Sequence, residues 1–305
     1  MKKSFKILFI LFIPLKLYCQ ITPVTSQYVL NPLTINAAYA GNRGVLNLAA
    51  FYRKQWVGIN GSPETMTFAA DAPMLDNKLG LGFIITNDKI GVTKDTKINT
   101  SYAYKINVGG GKLSLGLGAG LIITSTAWSD LVVVDPGDEI YLTDSKNFIV
   151  PAFNFGAWYS FRNYFAGFSI PALIDYKFDY NTNKFSTDFN PEQHYYLFNT
   201  GYVFNISNSI SLFPSTLITY SAGENPLFDI NAILSFDNQL WTGLSYRNGR
   251  SIVALLQVSV NRQTKIAYTF DFDFGDLGKY SSGSHEIMVR YEFRYKVDVV
   301  NPLIF

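Results

Sequence analysis

The chain has 305 residues, with 25 Lys and Arg against 23 Asp and Glu, a balance that gives no reason to expect a nucleic-acid partner. No run approaches the roughly 18 consecutive apolar residues of a transmembrane helix, yet the chain has 25 Phe, 20 Tyr and 4 Trp. An aromatic excess without a hydrophobic helix is typical of the girdles of a lipid-facing β-barrel, although a large soluble β-protein stays open.

The N-terminus has the features of a secretory signal. Three lysines among the first six residues precede a short apolar run, 7–15, that is too brief to span a bilayer as a helix. We expect cleavage after Cys19, so that residues 1–19 form the signal peptide and remove the only cysteine and four lysines. The mature chain then has 21 basic and 23 acidic residues, and no thiol for a disulfide or metal site. Acylation of Cys19, as in a lipoprotein, is the alternative.

Residues 20–43 form a separate segment before the first predicted strand. They have little strand pattern and are rich in Asn, Pro and Ala. A barrel of the size predicted below leaves space in its lumen, so this segment either folds inside as a plug or lies in the periplasm. The size of the lumen favours the plug, and no residue decides between the two.

Period-two runs recur from residue 44 onward, as expected for strands with two unlike faces. In 113–121, four leucines and Ala119 alternate with Ser114 and three glycines. A small, polar or charged face opposite an apolar one suits a watery lumen better than a dry sandwich core. We therefore predict an all-β fold, a transmembrane antiparallel outer-membrane β-barrel of about 14 strands within 44–305. The predicted strands lie near 44–56, 64–72, 79–87, 95–106, 112–125, 148–160, 163–171, 193–206, 209–220, 226–236, 239–247, 251–260, 264–273 and 284–297.

The connections between these strands alternate in length. If the first strand runs outward, the two longest connections, 126–147 and 172–192, lie at the outer end. The opposite end has only short turns, such as 237–238. Short periplasmic turns and longer outer loops are the rule for bacterial barrels. The sequence therefore predicts a multi-pass barrel in the outer membrane of a Gram-negative bacterium, in contact with its lipid.

The closing strand has a charged face, and the strand before it has acidic residues. From Ile287 to Val297 apolar residues alternate with charged residues and Met288, and the chain ends on Phe305. We expect a charge network that stabilises the lumen, with a solute-selective constriction as the sharper alternative. The candidate lumen charges are Asp271, Asp273, Arg290, Glu292, Arg294 and Lys296.

Residues suited to catalysis are few. The two histidines, His194 and His285, are far apart in sequence. Ser284, His285 and Glu286 are consecutive on a predicted strand, so neighbours point to opposite faces and cannot form a relay. We predict a non-enzymatic protein without catalytic residues, metal site or cofactor.

Short motifs follow one another in a fixed order along nearly the whole mature chain. They include 36–41 (NAAYAG), 53–63 (RKQWVGINGSP) and 240–247 (LWTGLSYR). Together these segments resemble the PorP/SprF family of type IX secretion system membrane proteins. Ala37 and Leu303 depart from a proline and a basic residue that are common in the family. The other matching segments are 27–28, 87–91, 103–106, 213–215, 229–231, 283–287 and 301–302.

The resemblance implies an outer-membrane barrel that works with type IX secretion. Such a barrel anchors or helps export a large cell-surface protein, of the gliding-adhesin type, that carries a C-terminal sorting domain. Periplasmic components of the machine are further implied partners. A gated or passive solute channel stays the alternative, because the lumen face is charged.

Three of the family-like segments, 56–63, 88–91 and 284–286, lie at the predicted outer rim, where a partner could dock. Trp56 is either a girdle residue or, like many Trp and Arg side chains, an interface anchor. The candidate partner-binding residues are Arg53, Gln55, Trp56, Asp88, His285 and Glu286.

Overall fold

The computed structural model describes residues 25–130, 147–179, 184–249 and 251–293. Within them, fourteen strands close into an antiparallel barrel, with Tyr196–Tyr202 and Phe204–Asn205 counted as one interrupted strand. The predicted all-β barrel of about 14 strands is therefore confirmed. The strands are β1 (Leu46–Lys54), β2 (Glu64–Met74), β3 (Leu79–Ile90), β4 (Thr93–Val108), β5 (Gly111–Thr126), β6 (Phe148–Phe161), β7 (Tyr164–Ile170), β8 (Asp175–Asp179), β9 (Lys184–Asp188), β10 (Tyr196–Tyr202), β11 (Phe204–Asn205), β12 (Ile210–Tyr220), β13 (Leu227–Phe236), β14 (Leu240–Arg247), β15 (Ser251–Ser259), β16 (Thr264–Asp273) and β17 (Ser284–Phe293).

The barrel closes where the first strand meets the last. β1 pairs with β17 from Leu46 opposite Phe293 to Lys54 opposite His285. Across the ring, β10 pairs with both β7 and β12. The β8–β9 hairpin forms a separate two-stranded sheet in a connection that the sequence predicted to be a loop. Its five-residue strands are too short for a clear period-two signal.

Side chains alternate between a lumen face and an outer face, as the period of two predicted. In β15, Val253 and Leu255 are buried, whereas Leu256 and Val258 are exposed on the outer wall. Each of the fourteen described strands exposes at least one large apolar or aromatic side chain in this way. An apolar wall around the whole ring is the surface that lipid covers.

The two ends of the barrel differ in the lengths of their connections. At one end the strands are joined by short turns, such as 75–78, 109–110 and 237–239. At the other end lie the long connections 127–147 and 171–195. This agrees with the predicted alternation and identifies the second end as the outer one.

The buried core lies inside the barrel. Residues 25–43, here called the plug, contribute buried side chains that include Leu30 and Tyr39. Tyr39 packs edge-on against Trp158 of β6, with ring centroids 4.9 Å apart. Trp158 in turn stacks on Phe165 of β7 at 4.7 Å. The described part of the predicted 20–43 segment therefore occupies the lumen.

Several positions of the sequence analysis lie outside the described residues. They are the signal peptide 1–19, most of the predicted loop 126–147, and the end of the closing strand. No helix in the described part of the chain is long and apolar enough to span a membrane.

Candidate functional site

Three 3-10 turns shape the plug: Ser26–Val29, Pro32–Thr34 and Ala37–Tyr39. Asn36 precedes the third turn, and its side-chain oxygen accepts a hydrogen bond from the backbone N–H of Ala38 at 2.9 Å. Proline suits the first position of the second turn because its fixed φ fits a helical turn and that position needs no N–H donor. Short polar caps and one proline therefore fold the plug without a regular helix.

Glycines in the barrel wall make room for the plug. A Cβ at Gly116 of β5 would overlap the backbone of Ala38, and one at Gly80 of β3 would overlap the carbonyl of Ala40. Asn36 also crosses to the wall, where its side-chain amide donates to the carbonyl of Ala157 at 3.1 Å. Because glycine has no side chain, the backbone of the plug approaches these wall strands more closely than any other residue would allow.

Buried charges hold the outer end of the plug. Arg53 of β1 lies 2.8 Å from Asp271 of β16 and 2.9 Å from Glu286 of β17. Ser26 of the plug accepts a hydrogen bond from Arg53 at 2.9 Å and donates one to Asp271 at 2.7 Å. The backbone N–H of Ser26 and the hydroxyl of Thr25 both donate to Glu286. We call Ser26, Arg53, Asp271 and Glu286 the outer ion network.

A second arginine extends the outer ion network around the wall. Arg247 of β14 donates three hydrogen bonds to the carboxylate of Asp229 of β13, at 2.9, 3.0 and 3.1 Å. Its guanidinium also lies 3.9 Å from Asp271. With Arg53 and Glu286 included, two guanidinium groups face three carboxylates in this part of the lumen.

Tyr28 joins the plug to the same part of the wall. Its hydroxyl accepts a hydrogen bond from the side-chain amide of Asn231 at 2.8 Å. Burial raises the pKa of Tyr28 above its usual range, and the nearby Asp229 carboxylate adds to the rise. Tyr28 therefore stays neutral and contributes a hydrogen bond rather than a charge.

A second cluster holds the inner end of the plug. Glu292 of β17 lies 3.4 Å from Arg43 of the plug and 3.2 Å from Lys265 of β16. Arg43 and Arg290 both donate to the carbonyl of Leu30, at 2.5 and 2.6 Å. We call Arg43, Lys265, Arg290 and Glu292 the inner ion network. It crosslinks two turns of the plug to the last two strands.

The chain leaves the plug through a further set of polar contacts. Asp71 of β2 accepts hydrogen bonds from the N–H of Gly41 at 3.0 Å and from Asn47 of β1 at 2.7 Å. Lys105 of β4 donates to the carbonyl of Gly41 at 2.6 Å. Gly41 has a φ of +64°, a conformation that favours glycine. The plug is thus fixed just before β1 begins.

Above the plug, toward the outer end, the lumen contains a cavity of about 440 Å³. Its walls carry polar side chains, including Arg53, Gln55, Asp88 and Lys97, and Ile35 of the plug forms part of its floor. A second cavity of about 200 Å³ lies beside it and shares Lys97. The described residues contain no group of three or more His, Cys, Asp or Glu placed to hold a metal ion.

The candidate partner-binding residues do not share one surface. Arg53 and Glu286 are buried in the outer ion network, not on the exposed rim where the sequence analysis placed them. Gln55 and Asp88 line the outer cavity.

The other two candidates lie outside the lumen. Trp56 is half-buried at the rim. His285 lies on the outer wall, where its Nδ1 is 2.6 Å from the hydroxyl of Tyr268. Partner binding by these residues stays a prediction.

The candidate lumen charges are placed as follows. Asp271, Arg290 and Glu292 are buried in the two ion networks. Asp273 accepts a hydrogen bond from the indole N–H of Trp56 at 3.1 Å. Arg294 and Lys296 lie outside the described residues.

Other charged side chains of the lumen were not predicted from the sequence. The sequence pattern indicated their location, because each residue either occupies an inward position of a strand's period-two alternation or belongs to the plug segment. They include Arg43, Asp71, Lys105, Asp229, Arg247 and Lys265.

A closed antiparallel ring with an apolar outer wall and a polar, plugged lumen defines an outer-membrane β-barrel. Residues 18–291 match the family described as type IX secretion system membrane protein PorP/SprF. The chain belongs to this family, as the resemblance predicted, and is an outer-membrane barrel of type IX secretion. No curated protein matches the chain.

Solved structures with a similar fold are outer-membrane proteins. One is the outer membrane protein Omp33 of Acinetobacter baumannii, with a TM-score of 0.50 and 9% identity, over 82% of this chain and 99% of that chain. Another is the CymD monoaromatic hydrocarbon channel, with a TM-score of 0.52 and 10% identity, over 90% of this chain and 94% of that chain. At such identities the likeness concerns the fold alone.

Proposed function

We propose that this barrel is a non-enzymatic anchor or export partner for a large cell-surface protein, of the gliding-adhesin type, with a C-terminal sorting domain. The observation that carries the proposal is the plug. Two buried ion networks fix residues 25–43 inside the lumen, so the barrel is built to stay filled. A barrel with a filled lumen is better suited to binding a partner at its outer rim than to conducting solutes.

Trp56 is the best candidate for such a rim contact. Its backbone has a φ of +45°, which is uncommon for a large side chain. The N–H of Trp56 donates to the Ser284 hydroxyl at 3.1 Å, and its indole N–H donates to Asp273 at 3.1 Å. Strained residues held by their surroundings cluster at functional sites. These hydrogen bonds fix the half-exposed indole at the outer end, in a position where a partner can contact it.

Replacing Trp56 by alanine should release the surface partner while the barrel still assembles. Truncation of a Trp that acts as an interface hot spot costs about 2 kcal/mol or more, so we expect roughly 30-fold weaker binding. The measurement is recovery of a large exported protein with the tagged barrel from detergent-solubilised outer membrane, by quantitative mass spectrometry.

The matched control is Leu75→Ala, which removes an exposed apolar side chain, 69% exposed, at the opposite end. It should leave recovery unchanged. Normal recovery with Trp56→Ala would show that the rim assignment is wrong. Recovery of periplasmic secretion components alone would favour a structural role in the machine over anchoring.

A gated solute channel is the second candidate. The outer cavity favours it, because charged and polar side chains line a space of about 440 Å³ directly above the plug. The two candidates differ in whether the plug leaves the lumen, and conductance across a planar bilayer separates them.

A further inference from the structure

One row of side chains on the lipid-facing wall is rich in cations. Glu64 of β2 lies between Lys54 of β1 and Lys89 of β3, and Lys89 lies directly opposite Lys94 of β4. On the other side of β1, Lys54 lies opposite His285 of β17. In each strand these residues alternate with inward-facing ones, so all five share the outer wall. The row lies at the outer end of the barrel.

Part of this charge has no ion-pair partner in the described part of the chain. Lys54 lies 3.2 Å from Glu64, and this ion pair uses the one carboxylate of the row. Among the described residues no carboxylate lies within ion-pair distance of Lys89 or Lys94, and both lysines are exposed. Like charges directly opposite each other on adjacent strands destabilise a sheet. The Lys89–Lys94 pair is therefore placed where an anion would offset its repulsion.

Below the two lysines, the wall changes from charged to polar. Asn87 of β3 lies opposite Thr96 of β4, two residues closer to the membrane centre than the lysines on the same face. The side-chain amide of Asn87 donates to the Thr96 hydroxyl at 3.1 Å, and Asn87 is exposed. This row offers hydrogen bonds to hydroxyl or amide groups of a ligand.

Further toward the membrane centre the same wall is apolar. Phe68 of β2 is 40% exposed, and Leu121 of β5 is 46% exposed. Phe68 lies opposite Ile85, which begins a cross-strand apolar row. From the outer end inward, the outer face of β3 and β4 therefore presents two lysines, then the Asn87–Thr96 pair, then the apolar Ile85–Ile98 pair.

The spacing of these rows matches the layers of a bilayer. Lys94 lies four residues beyond Ile98, the first apolar outward position of β4, and at a tilt of about 40° this is roughly 10 Å along the barrel axis. The polar layer of a membrane is about 5–8 Å thick on each side. Lysine stems bend toward such a layer and place their ammonium groups among lipid phosphates.

We propose that the outer wall of β2–β4 binds a phosphorylated glycolipid of the outer leaflet. Lys89 and Lys94 bind its phosphate, Asn87 and Thr96 hydrogen-bond its sugar, and the apolar rows contact its acyl chains. The order of the three layers along one wall distinguishes this ligand from free phosphate, which would need the cations alone. This lipid site lies on the outer wall and includes neither Trp56 nor any residue of the plug.

The test uses the full barrel in detergent and diphosphoryl lipid A as the probe, with binding measured by native mass spectrometry. Each lysine near a membrane surface contributes about fivefold, so the double variant Lys89→Gln/Lys94→Gln should bind roughly 30-fold more weakly. Lys78→Gln/Lys112→Gln is the matched control, because it removes two exposed lysines at the opposite end. It should bind lipid A like the natural chain.

Two further arms test the chemistry of the ligand. Dephosphorylated lipid A should bind as weakly to the natural chain as lipid A does to the Lys89/Lys94 variant, and inorganic phosphate should not compete at micromolar concentration. Glu64→Gln removes a nearby negative charge and should tighten binding severalfold. Equal binding by the two double variants, both folded, would overturn the proposal, as would binding that does not depend on the phosphates.

Discussion

Replacing Arg53 by methionine is expected to destabilise the folded barrel by about 3–5 kcal/mol. The substitution keeps an unbranched side chain but removes the cation that lies 2.8 Å from Asp271 and 2.9 Å from Glu286. Both carboxylates are buried, so they would stay charged without their main partner, or take up protons at a similar cost. Urea titration of the barrel in phospholipid vesicles, followed by tryptophan fluorescence, measures the loss.

The adjacent residue provides the control for Arg53. Lys54 points to the opposite face of β1, and its ion pair with Glu64 is partly exposed, with side-chain exposures of 35% and 32%. Lys54→Met should therefore cost less than about 1 kcal/mol. If the two variants unfold at the same urea concentration, the outer ion network does not stabilise the barrel in the way inferred.

Replacing Gly116 by leucine is expected to displace the plug and open the lumen to ions. A Cβ at this position would overlap the backbone of Ala38, and the rest of the side chain needs still more space. Overpacking of this kind typically costs about 1–3 kcal/mol, so excursions of the plug should become roughly 5- to 150-fold more frequent. Single-channel recording in planar bilayers counts these openings.

Ala119→Leu is the matched control, because Ala119 lies on the same strand but faces the lipid. It should leave the conductance unchanged. A folded Gly116→Leu barrel that stays as closed as the natural chain would show that the plug does not control the lumen. Frequent openings of the natural chain itself would favour the solute channel over the anchor.

The barrel fold was predictable because the same alternation of apolar and polar residues recurs in strand after strand. Each strand alternates for about ten residues, and the alternation of Ile287, Val289 and Tyr291 with charged residues and Met288 gave the correct faces of β17. The parity of long and short connections added a second, independent signal. Fourteen strands and their order follow from these two patterns.

The contacts of the lumen were less predictable. Arg53 and Glu286 were assigned to the rim because they lie near the strand ends. In the structure both are turned inward onto Ser26, a residue 260 positions from Glu286 in the chain. The period-two alternation of a strand predicts whether a side chain faces the lumen or the lipid, but it does not predict which residues that side chain contacts in the lumen. The plug has no repeating pattern, so its partners could not be read from the sequence.

The outer ion network has a consequence for the order of assembly. Arg53 belongs to the first strand, whereas Asp271 and Glu286 belong to the last two, so its two ion pairs bridge residues 218 and 233 positions apart. These partners come together only when β1 meets β17 and the ring closes. Contacts this distant in sequence form late and slow the folding of a chain. The N-terminal segment therefore has no complete binding site on a nascent barrel, and its docking marks the end of folding.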